Sequence, residues 1–208
     1  GAKMNSRYLG MMLIVFFLVG CVVEAKKPVC DCDEDKPPAF CRGITCPKYK
    51  LVEKNNNFEL RTYEATQWVT TPLKMSVEGL EESFIHLTEY MNGKNWEEIL
   101  MEMAVPVLVI APIGKPPVNG TMMFLLPTEI KKPPTPTDAD ISFQKFKETS
   151  VYVRTYYDFS TGGPHAKTLA EELDLQGKAF EKSFFISAGY HDPTLLIGRH
   201  CEVWFLAK

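Results

Sequence analysis

Between Phe58 and Gly93 the chain reads F-E-L-R-T-Y-E-A-T-Q-W-V-T-T-P-L-K-M-S-V-E-G-L-E-E-S-F-I-H-L-T-E-Y-M-N-G, and its apolar period changes partway through. In F-E-L-R-T-Y and Q-W-V-T-T apolar and polar residues alternate, which predicts two strands with one buried face each. After Ser76 the period lengthens. Val77, Leu80, Phe84, Leu87 and Met91 follow at spacings of three, four, three and four, one stripe of an amphipathic helix. Ser76 suits its N-cap and Asn92-Gly93 its stop, while Glu82 and Glu89 fall on the opposite face.

The same order recurs further along. V-L-V-I-A (107–111) and T-M-M-F-L-L-P (121–127) complete a first strand–strand–helix–strand–strand unit, and the Pro-rich run 130–138 crosses to the next. I-S-F-Q-K-F (141–146) and V-Y-V-R-T-Y-Y-D-F (151–159) open the second, Pro164–Leu175 is its helix, and F-F-I-S-A-G-Y (184–190) and E-V-W-F-L (202–206) close it. Gln67–Thr71 then corresponds to Val151–Tyr157. Each half has a one-sided sheet too small to stand alone, so the two are expected to share one curved sheet and form a single domain.

The first 46 residues have a different character. Leu9–Val23 carries no charge, is preceded by Arg7 and is followed by Val23-Glu24-Ala25, the pattern of a cleaved secretory signal with Met4 as the natural start. As a helix it would rise only about 22 Å, short of the roughly 30 Å of a bilayer core. A retained anchor, or a lipidated Cys21 in L-V-G-C, is the weaker reading. Residues 1–25 are thus expected to leave, residues 26–46 to form a cysteine-rich leader, and residues 47–208 to form the domain. Cys30, Cys32, Cys41 and Cys46 crowd into the leader and Cys201 stands alone near the C-terminus. In an oxidising compartment these cysteines are expected to pair rather than hold a metal, because structural zinc sites favour C-x2-C spacing. Asn119-Gly120-Thr121 is a glycosylation sequon in a turn-forming run, which fits a secreted, extracellular protein.

Across 208 residues, 45% hydrophobic and 24% charged with a net charge of -3, no basic stripe appears, which argues against nucleic acid as a partner. G-x-S-x-G, H-E-x-x-H, a phosphate loop and G-x-G-x-x-G are all absent from the sequence. His86, His165, His191 and His200 have no carboxylate or nucleophile at telling spacing. They read as surface or capping residues, with metal or heme ligation the sharper alternative. Binding is expected rather than catalysis.

Four motifs then carry a resemblance. M-A-V-P-V (103–107), P-P-T-P (133–136), A-G-Y (188–190) and R-H-C-E-V-W (199–204) stand in the order and spacing of the SOUL / heme-binding protein family. F-E-L-R-T-Y with W-V-T-T resembles that family's first strands, and the match runs from Tyr49 to Lys208. The resemblance implies an α+β fold, a distorted and partly open antiparallel β-barrel with two helices and an internal pseudo-two-fold. It also implies heme or another tetrapyrrole as ligand, bound without catalysis in an apolar groove on the first helix that would match Leu80, Phe84, Leu87 and Met91. Three departures bear on this. Thr62 stands between Arg61 and Tyr63 where some members carry an axial histidine, Glu81 stands where some carry an arginine, and Cys201 replaces an asparagine. His86 is the substitute iron ligand expected first, and Cys201 is expected either to remain a thiol or, preferably, to bridge to the leader. If the helix stripe packs wholly inward there is no groove. The chain is then a stapled module for a protein partner or another apolar ligand.

Overall fold

A computed structural model describes residues 37–114, 119–158, 161–190 and 199–208. The strands lie where alternation places them: β1 (Tyr49–Lys54), β2 (Glu59–Tyr63) and β3 (Thr66–Lys74) precede helix α1 (Val77–Met91). β4 (Val107–Pro112), β5 (Asn119–Leu125), β6 (Ser142–Phe146) and β7 (Thr149–Tyr156) lead to α2 (Gly162–Leu175), and β8 (Phe184–Gly189) and β9 (Cys201–Leu206) close the chain. Ser76 caps α1 as its side chain suggests, its Oγ accepting from the Gly79 amide at 3.0 Å. Gly93, at φ 93°, takes the left-handed conformation that ends the helix run.

All nine strands form one antiparallel sheet in the order β1-β2-β7-β9-β8-β4-β5-β3-β6, curled into the half-barrel that the resemblance implied. The duplication is explicit in this order. β3-β5-β4 and β7-β9-β8 are the same arrangement, joined where β4 pairs with β8. The first strand of each unit pairs with the other unit: β2 lies on β7 and β6 lies on β3. Thr66 faces Phe146 as Thr149 faces Tyr63, so the counterpart of Val151 is Trp68, one position from the expected Gln67. Because each unit borrows an edge strand from its twin, neither half can close its sheet alone.

Strand alternation divides the core. Trp68, Leu108, Val151, Val153, Ile186 and Trp204 point to the inner face. Their neighbours point outward, Val69, Met122 and Phe124 beneath α1, and Tyr152, Val203 and Phe205 beneath α2. At about 25 cal/mol per Å² of buried apolar surface, these three clusters are the main stabilising term of the domain.

Three boundaries differ from expectation. The compact body extends back beyond residue 47: the short 3-10 helix Ala39–Cys41 docks on it, with Cys41 in the inner cluster. Asn119 and Gly120 are not the hairpin turn. They are already strand, opposite Lys74 and Leu73, and a Cβ on Gly120 would lie 2.7 Å from the Ile110 carbonyl. α2 begins at Gly162 rather than Pro164, and its first residue packs so closely that a side chain there would crowd Val203 and Ser187. The signal segment, Cys30, Cys32 and His191 lie outside the described residues. Among the described residues no helix is long and apolar enough to cross a membrane.

Candidate functional site

The helix stripe splits. Leu87 and Met91 are fully buried beside Val69, Met122 and Phe124, so they are core and cannot line a groove. Toward the N-terminus the contact with the sheet is made by Gly79 and Ser83 instead, and the apolar positions there are exposed: Val77 is 77% exposed, Leu80 40% and Ile85 47%. Phe84 lies between, half-buried and edge-on to Phe124 at 5.2 Å. Ile85 and His86 border a shallow depression on the outer face of α1 together with Glu78, Glu81 and Glu82.

His86 is one third exposed, and its Nδ1 lies 3.5 Å from Asp138 Oδ2 in the crossing between the two units. A carboxylate behind one ring nitrogen orients the imidazole and leaves Nε2 as a ligand, the arrangement common to metal-bound histidines. The depression brings the expected imidazole beside one apolar residue, Ile85, and none of the four stripe residues lines it. It also gathers three carboxylates, and no cation lines it. Among the described residues no group of three or more His, Cys, Asp or Glu side chains could hold a bare metal ion.

The sequence reading missed a second constellation. Arg61 and Glu202 occupy alternate positions on strands whose inner face is otherwise apolar, and they meet in the interior with Nη1 to Oε1 at 2.9 Å. The Glu202 carboxylate also accepts from Trp204 Nε1 at 2.7 Å and from the Tyr190 hydroxyl at 3.2 Å, and it lies 2.8 Å from His200 Nε2. Burial pushes the Glu202 carboxyl up. Hydrogen bonding from His200 and the Arg61 charge outweigh it and hold the group below the usual carboxylate range. Burial likewise disfavours the Arg61 guanidinium, and the Glu202 charge more than offsets it. Two strand residues of opposite sign, each two positions before an aromatic (Arg61 and Tyr63, Glu202 and Trp204), were the available signal. Neither has a charged counterpart in the other unit, where Gln144 and Thr121 stand.

The stapled segment covers this network. Cys41 and Cys46 form a disulfide, and Phe40 beside it stacks on His200 at 4.2 Å with the rings almost parallel. Val105 donates its amide to the Thr45 carbonyl across the same contact. Cys201 is not the partner of Cys41 or Cys46. It is a buried thiol in the α2 cluster, on the opposite face of the sheet from Cys41, so a bridge to these two is barred, while Cys30 and Cys32, the other leader cysteines, lie outside the described residues. All three described histidines also have a carboxylate nearby, Asp138 for His86, Asp158 for His165 and Glu202 for His200. Only for His200 is that partner near in sequence, and for the others the fold supplies it.

Comparison with known proteins places this architecture. The chain is 28% identical over 183 residues to human "Heme-binding protein 2", covering 82% of this chain and 89% of that protein. It is 25% identical over 179 residues to "Heme-binding protein 1" of Xenopus laevis, covering 79% and 93%. Among solved structures, the C-terminal domain of EcmrR superposes with a TM-score of 0.54 at 6% identity, covering 77% of this chain and 98% of that one, a likeness of fold alone. Residues 44–206 match the family described as SOUL heme-binding protein, and the chain therefore belongs to that family.

Proposed function

We propose that this chain is a secreted protein that binds heme or a related tetrapyrrole on the outer face of α1 and carries or sequesters it without acting on it chemically. Family membership supports the ligand class. The observation that carries the site is His86 with Asp138 behind it and exposed Ile85 beside it in the α1 depression. Bound heme would supply an iron centre that takes up an axial donor. His86 Nε2 would be that donor, and Ile85, which borders the same depression, would flank the ring. Glu78, Glu81 and Glu82 repel propionates, so the propionates stay in water. Secretion is supported by the apolar segment 9–23, the Cys41–Cys46 disulfide and the exposure of Asn119.

The three carboxylates also favour a second reading, a module of the same fold that binds another apolar ligand or a protein and no longer takes heme. Hemin added to secreted, oxidised protein separates the two. Saturable binding with a shifted Soret band supports the first, and its absence supports the second. N-terminal sequencing of the secreted protein and glycosidase treatment test the leader and Asn119.

A further inference from the structure

We propose that the connection from α1 to β4, residues 92–103, is a docking surface for a basic amphipathic segment of another protein. Met101 and, just beyond the segment, Ala104 are buried in the α1 cluster and the inner cluster and tie the connection to the body. Between and beside them the apolar side chains turn outward: Trp96 is 74% exposed and Leu100 75%, and Ile99 and Met103 are exposed as well. One exposed apolar residue is ordinary, whereas four large ones within eight positions are the composition of an interaction surface. Asn92 bridges to Leu100, so the chain doubles back and Trp96, Ile99 and Leu100 share one turn.

That turn is fixed before any partner arrives. Buried Asn95 donates through Nδ2 to the Tyr90 carbonyl at 3.2 Å and to the Ile99 carbonyl at 2.9 Å, and its Oδ1 accepts from the Ile99 amide at 3.0 Å. The Trp96 amide donates to the Thr135 carbonyl at 2.9 Å, and the Glu97 carboxylate accepts from the Thr135 amide and hydroxyl at 2.7 and 2.9 Å. Glu98 lies among these bonds at φ 53°, a left-handed backbone that residues with a side chain seldom adopt unless their surroundings hold them there. The backbone is thus committed to the turn and the apolar side chains are left on display, which keeps the ordering cost of binding low. Tryptophan presented in this way is the residue type most enriched among interface anchors.

Charge selects the occupant. Glu97 is engaged by Thr135 and feels Lys132, and Lys94 is paired with Glu89 at 2.6 Å. Glu98 and Glu102 are exposed and pair with no cation among the described residues. On a bilayer these two carboxylates would be carried to the headgroups beside Trp96 and Leu100, and anionic lipids would repel them. A second copy would set the same carboxylates against their own kind, in a chain whose net charge is already -3. A segment with an apolar stripe flanked by lysine or arginine matches both the exposed side chains and the acidic rim. The surface stands whether or not heme binds to α1.

The test titrates heme-free, oxidised protein with an amphipathic helical peptide of leucine and lysine, about 14 residues long, and with its leucine–glutamate counterpart. The tryptophan indole N–H signals are followed by nitrogen-15 NMR and affinity by the polarisation of labelled peptide. The lysine peptide should shift Trp96 saturably with a dissociation constant below about 100 μM, and leave buried Trp68 and Trp204 still. Trp96→Ala and Leu100→Ser should each weaken binding about fivefold or more. Glu98→Gln with Glu102→Gln should weaken it too and reduce its salt dependence. The proposal is overturned if Trp96 does not respond to the lysine peptide up to about 1 mM, if the glutamate peptide binds equally, or if folded Trp96→Ala and Leu100→Ser bind as the parent does. It is also overturned if phosphatidylcholine vesicles shift the Trp96 signal in place of the peptide, or if the protein forms a dimer that Trp96→Ala abolishes.

Discussion

Arg61 and Glu202, from strands at opposite ends of the sequence, are joined by a 2.9 Å charge-assisted hydrogen bond in the dry interior of the sheet. Removing one member of such a pair leaves an unpaired buried charge and costs about 3–5 kcal/mol. Glu202→Gln and Arg61→Met should each lower urea stability by that order. The double variant Arg61→Met with Glu202→Leu should lose clearly less than the sum, which a double-mutant cycle measures.

The same pair makes the fold acid-sensitive. A carboxyl held below its ordinary pKa near 4.5 contributes stability that is present above that value and lost as pH falls through the lowered one. Glu59 contributes in the same sense, since burial raises its pKa but Lys54 and Arg61 more than reverse that. Unfolding free energy should therefore fall progressively as the pH drops below about 4.5, the ordinary carboxyl value. Glu202→Gln should flatten that fall at the expense of stability throughout.

The cysteines should separate by chemistry. Burial pushes the Cys201 thiol up and keeps it inert, so the native protein should react with a thiol reagent at that position only on unfolding. Cys41→Ser with Cys46→Ser opens a short loop and should cost about 2 kcal/mol by loop entropy. Because Phe40 packs against His200 from that loop, the double variant should also increase hydrogen exchange at Tyr190, whose amide donates to the His200 carbonyl.

Along α1, position decides the effect. Leu87→Ala should cost about 2–5 kcal/mol, as a large-to-small change in a closed core. Ile85→Ala should change stability by only about 0.5 kcal/mol, in the range of surface substitutions, while weakening hemin binding in the depression it shares with His86. Thermal or urea unfolding of the two variants, read beside the hemin titration, distinguishes core from ligand face.

Nearly every element was legible in the sequence because alternation and the three-four spacing are properties of a single strand or helix. The duplication was legible too, with the start of the correspondence one residue out and its end three, since Arg154 and not Tyr157 is the counterpart of Thr71. The swap of β2 and β6 was not, since pairing partners are a tertiary choice that local pattern leaves open. The helix stripe misled in part: five apolar residues at helical spacing share a face, yet the face that packs on the sheet is Gly79, Ser83, Leu87, Tyr90 and Met91, so small and polar residues make the N-terminal contact with β3 and leave Val77 and Leu80 exposed. Asp138 behind His86 was invisible because sequence separation hides a contact that only the fold makes, and Arg61 and Glu202 showed only as lone charges on apolar strand faces, with nothing local to pair them.

The most direct test of heme binding on α1 is a hemin titration of the oxidised, secreted protein beside His86→Ala, with the Soret region followed by absorbance. The account predicts saturable binding near one equivalent by the parent protein, and for His86→Ala a changed Soret position with affinity reduced about tenfold. A parent protein that gives no saturable change, or a folded His86→Ala variant whose spectrum and affinity match the parent's, would contradict it.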